Sequence, residues 1–294
     1  MSLKEFPSIQ NRMSVVSEYA KSPEAKIFDT SEVYSCLSDR NKDFFSPISE
    51  HLKIYLNCLK NVVRWKEHTY QEVAKTLNDN DYGHTLEMLK ISNDFKEIGL
   101  NSVNFDDVEL TILIHDGSEI ITDDISINHP SEMNNWFQEI KDLEPRLFNP
   151  CILNQIKEKE LLGHRKELRN LYNKYESRQN NPLDAESHLV KLIDVFQGNN
   201  FGLENVYSKT RLNQVYGEGN VPVDPDCFIV SMIHKEVSQM KITLDSLKDP
   251  QEKSRLLSYY QNQQFPKYSN PEYGFQELSS RLKPLVDGLS ETIR

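Results

Sequence analysis

An all-α protein is predicted by three observations. The 294-residue chain has only ten glycines, alternating Val/Ile runs are scarce, and most long segments repeat apolar residues at spacings of three and four. Helices are expected near 46–63, 82–99, 105–116, 131–147, 151–178, 184–197, 203–216, 226–247, 249–263 and 275–291. The first is an apolar helix that runs out at Arg64-Trp65. The second carries the amphipathic run DYGHTLEMLKIS, and the third carries VELTILIH. KEKELLGHRKELRNLYNKYESR at 157–178 reads as a long solvated helix with local opposite-charge pairs, and it is the surface on which a homodimer would pack. Asp184 is placed as N-cap of AESHLVKLIDVF, and Asp226 as N-cap of CFIVSMIHKEV. Breaks fall at RQNNPLD, QGNNFG, YGEGNVPVDPD and FPKYSNPEYG, where Asn, Gly, Pro and Asp supply turn chemistry. No internal repeat is visible.

With 37% hydrophobic and 27% charged residues the chain is expected to fold throughout. A net charge of -11 is a poor match to a nucleic-acid polymer, whose binding is driven by neutralisation of phosphates. A single nucleotide needs only a few local cations. The N-terminus MSLKEFPSIQ lacks a basic-then-apolar leader, and apolar stretches such as CFIVSMI are too short to span a bilayer, so a cytoplasmic protein without a membrane partner is expected. Cys36, Cys58, Cys151 and Cys227 form no Cys-x-x-Cys pair and are read as buried free thiols.

The chemistry gathers where VELTILIHDGSEIITDD turns from an apolar run to His115, Asp116, Glu119, Asp123 and Asp124. Polar groups at the end of a core helix lie where desolvation penalises an unpaired charge, unless a metal or ion pair compensates. Gly117 can end or bend the helix there. Asp194 stands among Leu189, Val190, Ile193 and Phe196, so a partly buried carboxylate is expected; its structural alternative is an ion pair with Lys191. His84 lies near the start of its amphipathic helix. Glu119 is four residues beyond His115 and within reach of the same point if helical geometry continues. Arg64-Trp65 sets a cation beside an aromatic, suited to a phosphate and a flat base; snorkelling and packing are the plainer explanation.

These residues resemble the HD-domain phosphohydrolases, and within them the bacterial 5'-deoxynucleotidase (YfbR-like) group. The resemblance rests on Arg64-Trp65, His84-Thr85, His115-Asp116-x-x-Glu119-x-x-Thr122-x-Asp124 and Val190-Lys191-x-x-Asp194, in that order. It implies an HD helical bundle over 61–216, a helical N-terminal extension over 1–60, and a C-terminal extension over 217–294 packed on the core. It further implies one divalent ion held by His84, His115, Asp116 and Asp194, with Glu119 as the catalytic residue handling the attacking water. Arg64, Trp65 and Asp124 are implied to contact substrate. Two positions depart from the family pattern: Gly83 replaces the usual glutamate before the first histidine, and Asp123 replaces a glycine.

Two imidazoles and two carboxylates without thiolates suit manganese, cobalt, iron or magnesium better than structural zinc. The expected activity is release of phosphate from (deoxy)nucleoside 5'-monophosphates by a metal-activated water. Competing expectations are an HD phosphodiesterase, a hydrolase of another phosphorylated metabolite, and a degenerate HD binding or regulatory module. Retention of every ligand type argues against the last. No Gly-rich phosphate loop or nucleophile motif supports a kinase or a covalent mechanism.

Overall fold

A computed structural model describes residues 14–15, 18, 22–65, 69–122 and 161–293. Among them there is no strand, only one isolated antiparallel bridge between Val63 and Asn80. The fold is therefore all-α, as the glycine-poor, three-four patterned sequence predicts. The chain divides into two compact units: Met1–Glu67 with Asn78–Leu89 and Glu109–Ser177, and His68–Leu77 with Lys90–Val108 and Arg178–Arg294.

In the first unit short helices α1 (Pro23–Lys26), α2 (Ser31–Cys36) and α3 (Asp39–Phe45) precede α4 (Ser49–Lys60). Helix α3 starts where the Ser38 hydroxyl accepts the Asn41 N–H at 3.2 Å. The helix expected over 46–63 begins instead with a 3₁₀ turn, Ser46–Ile48, because Pro47 cannot donate inside a helix. It ends at Lys60, leaving residues 61–65 to run alongside 79–81. Helix α4 buries Leu52, Leu56 and Leu59, each worth about 1.5–3 kcal/mol, against α1 and the short α8 (Glu119–Thr122). Helix α7 (Phe105–Ile114) contributes its buried C-terminal half. There Glu109, fully buried, accepts from the Ser38 N–H at 2.9 Å and the Asn41 amide at 2.7 Å, so the carboxylate is satisfied inside the core. Helix α9 (Leu162–Glu176) is less solvated than its charge suggests, for Leu168, Leu171, Tyr172 and Tyr175 form a buried face.

The second unit holds α5 (Gln71–Ala74), the C-terminal part of α6 (Asp81–Glu97) from Lys90 onward, and the long helices α10 (Ala185–Phe201) and α12 (Asp226–Ser246), which pack along one another. Asp184 caps α10 as expected, accepting the Ser187 N–H at 3.3 Å. Asp226 does not cap α12: it is the first helical residue, and Asp224 accepts its N–H at 3.1 Å. The helix expected over 203–216 divides into a π-helical continuation, Gly202–Val206, and α11 (Lys209–Tyr216), which starts afresh at Ser208. Helix α13 (Pro250–Tyr259) runs into a second π segment, Tyr260–Gln264, and α14 (Gln276–Gly288) follows. Phe196 stacks on Tyr260 at 5.6 Å in this core. Among the described cysteines only Cys58 is buried; Cys36 is intermediate and Cys227 exposed, which corrects the expectation for those two.

Candidate metal centre

His84 sits in the first turn of α6, fully buried, its backbone N–H donating to the Asn80 carbonyl at 3.0 Å. Helix α7 stops at Ile114, so the His115-Asp116 pair occupies a turn rather than the helical end that the sequence predicts. That turn closes with the Gly117 N–H on the Ile114 carbonyl at 3.0 Å and the Glu119 N–H on the Asp116 carbonyl at 2.9 Å. His115 Nδ1 lies 2.8 Å from the Ile112 carbonyl, which can only accept. Nδ1 therefore carries the proton, and Nε2 is the nitrogen available to a metal.

The imidazoles converge on one carboxylate oxygen. Asp116 Oδ2 lies 3.0 Å from His115 Nε2 and 3.6 Å from His84 Nε2, and the ring centroids are 5.4 Å apart. Ligands bonded at about 2 Å to one ion stand about 3–4 Å from each other. The donor set and spacing thus fit a divalent cation at His84, His115 and Asp116. Burial pushes the Asp116 carboxyl up, but His115, His84 and Arg64 outweigh it and hold the group well below the usual carboxylate range. Glu119 is half-buried on the first residue of α8, and its carboxylate lies within 4.8 Å of those of Asp116 and Asp81. Its reach comes from the turn and a new helix, not from the continuous helix that the spacing suggested.

Arg64 and Trp65 lie beyond α4 in the segment bridged to residues 79–81, not at the helix end. Trp65 has φ of 67°, a left-handed conformation that no helix accepts. The Arg64 guanidinium sits among three carboxylates: Nε is 3.5 Å from Asp79 Oδ2, and one terminal nitrogen is 3.6 Å from both Asp81 Oδ1 and Asp116 Oδ2. Asp79 and Asp81 were missed by sequence reasoning. They belong to the polar turn NDND, which reads as ordinary turn and helix-start chemistry, and nothing in it announces a partner fifteen residues earlier. Tyr175, whose ring is edge-on to His115 at 6.0 Å, was also missed, hidden within a charged run. At Gly83 an added Cβ would meet Asn80 Oδ1 at 3.7 Å and Asp79 Oδ1 at 3.8 Å, an ordinary contact.

Asp194 belongs to the second unit, on α10, part-buried and paired with Lys191 one turn earlier. That is the ion pair weighed from the sequence. Asp124 lies outside the described residues. No helix among the described residues is long and apolar enough to cross a membrane. Residues 56–222 match the family described as the HD domain. No curated protein and no solved structure matches the chain.

Proposed function

This chain belongs to the HD-domain family, in general metal-dependent phosphohydrolases, and within it we propose a nucleotidase that releases phosphate from (deoxy)nucleoside 5'-monophosphates. The observation that carries the reading is the Arg64 guanidinium 3.6 Å from the Asp116 carboxylate oxygen on which two imidazoles converge, with the Trp65 indole bonded to Asp79, a carboxylate that Arg64 also faces. A planar cation and an indole at that place suit a phosphate and the flat or apolar part of a nucleoside.

His84, His115 and Asp116 would hold the ion, and Asp194 is proposed as the fourth ligand. Manganese, cobalt, iron or magnesium fits this nitrogen and oxygen set. Held by these residues, a divalent ion would supply Lewis acidity toward a phosphoryl oxygen and a bound water. Glu119 orients the attacking water and takes its proton as the new O–P bond forms. The ester P–O bond breaks on the opposite side, and the nucleoside oxygen leaves with a proton taken from solvent water, while the proton on Glu119 returns to solvent. Arg64 offsets charge on the phosphoryl oxygens, Trp65 packs against sugar or base, and Asp124 is assigned to the sugar by resemblance.

The test is a substrate panel on metal-stripped protein with each divalent ion restored in turn. A deoxynucleotide and its ribonucleotide are expected to be hydrolysed with higher kcat/KM than a small chromogenic phosphate monoester or a phosphodiester. Arg64→Ala should lower efficiency on every phosphate ester, whereas Trp65→Ala should flatten the preference for nucleotides and leave metal content unchanged. Equal efficiency ratios in the parent and both variants, or a faster phosphodiester, would refute the nucleotidase reading.

A further inference from the structure

Asp79 has no role assigned to it at the ion or the attacking water, yet it is tied to both side chains assigned to substrate. Its Oδ2 accepts the Trp65 indole N–H at 3.0 Å and lies 3.5 Å from Arg64 Nε. Its other oxygen accepts the Asn80 backbone N–H at 3.0 Å, which fixes the plane of the carboxylate. The backbone is fastened as well: the Arg64 N–H donates to the Asp79 carbonyl and the Asp81 N–H to the Val62 carbonyl, both at 3.2 Å, around the Val63–Asn80 bridge. Asp79 is 8% exposed, so water competes little for these bonds.

Resting on the nucleotidase reading, we infer that Asp79 is a positioning residue whose carboxylate holds the Trp65 indole and the Arg64 guanidinium in one arrangement, and so sets nucleotide preference. Arg64 also has Asp81 and Asp116 at 3.6 Å, so loss of Asp79 leaves its position partly defended. The indole N–H has its charge-assisted bond from Asp79, and Trp65 holds a backbone conformation that an aromatic residue rarely adopts. The consequence therefore falls mainly on Trp65, and on discrimination rather than on the chemical step.

Asp79→Asn is the discriminating variant. The side chain keeps its volume, but one oxygen cannot serve the indole N–H and the Asn80 N–H together, and the amide opposes a donor with a donor in either orientation. The efficiency ratio between a nucleoside monophosphate and a small phosphate ester is expected to fall about tenfold, the equivalent of one such hydrogen bond. The loss should appear in KM for the nucleotide, with bound metal unchanged. In a Trp65→Phe background the same change should alter the ratio by less than about twofold, because the partner is already gone. Trp65 and Trp136 are the two tryptophans, so a Trp136→Phe parent reports Trp65 alone. There Asp79→Asn should shift emission to the red and raise acrylamide quenching. Unchanged emission and ratio overturn the proposal, as does an equal effect with and without Trp65. If the parent shows no nucleotide preference, the nucleotidase reading fails, while the Trp65 emission still decides whether Asp79 positions the indole.

Discussion

Replacement of Glu236 by glutamine is expected to stabilise the protein above neutral pH and to leave it nearly unchanged below pH 5. Glu236 lies within α12 with no exposed surface. Its Oε1 accepts from the Asn199 amide at 3.0 Å, the Gln264 amide at 2.9 Å and the Tyr268 hydroxyl at 2.8 Å. Burial pushes its carboxyl up to about 7 from an ordinary 4.5, although these donors oppose the rise. Nearby Tyr260 and Tyr268 are themselves pushed up, first by burial and then by Glu236, and burial draws the Lys267 ammonium down against the pull of Glu204, Glu236 and Asp94. Because the native carboxyl holds its proton more tightly than the unfolded one, its contribution is fully present below about pH 4.5. That contribution fades as pH rises and is lost above about 7. At 1.36 kcal/mol per pH unit the span amounts to about 3 kcal/mol. Glutamine preserves the acceptor for all three donors and cannot ionise. Urea unfolding of parent and Glu236→Gln at pH 5, 6, 7 and 8 reads the difference directly, and titration of the metal centre cancels between the two proteins. A stability difference that stays constant across that range would refute the buried-carboxylate argument.

Two further outcomes concern the roles assigned around the ion. Glu119→Ala should keep metal content close to that of the parent while turnover falls roughly a hundredfold, since its assigned task is to handle water; elemental analysis beside steady-state kinetics checks this, and metal loss would make Glu119 a ligand. Asp194→Asn should remove metal and activity together, and a variant that binds metal like the parent would leave Asp194 as the structural partner of Lys191.

Helix positions were legible because apolar spacing reports burial directly, and α4, α6, α7, α10 and α12 lie close to where that spacing put them. The polar cluster at His115-Asp116 stood out for a related reason, as polar groups at the end of an apolar run, whereas His84 joined it only through the family resemblance. What escaped depends on backbone course. Nothing in Arg64-Trp65 reports that α4 ends at Lys60 or that Trp65 turns left-handed, since sequence patterns assign such φ values to glycine and asparagine. Asp79 and Asp81 escaped as a result, because their meaning depends on the segment bridged to them. Glu236 escaped because an isolated acid in an amphipathic helix is ordinarily solvated, and its donors come from α10, from the π segment Tyr260–Gln264 and from beyond it.

The C-terminus of α7 shows how helix termination and ligand orientation become one event. Carbonyls of a helix's last turn have no intrahelical partner, and in a buried helix they cannot turn to water. Ile112, Leu113 and Ile114 are all buried. The Leu113 carbonyl accepts the Tyr55 hydroxyl at 2.6 Å, the Ile114 carbonyl accepts the Gly117 N–H at 3.0 Å, and the Ile112 carbonyl takes His115 Nδ1 at 2.8 Å. The same bond that satisfies an orphaned carbonyl therefore selects the imidazole tautomer and points Nε2 at Asp116. The partial negative charge at this helix end also favours a cation beside it. A histidine immediately after a buried apolar helix is thus oriented by the hydrogen-bonding demands of the helix itself, and the aspartate that follows is carried to the same point by the turn that ends it.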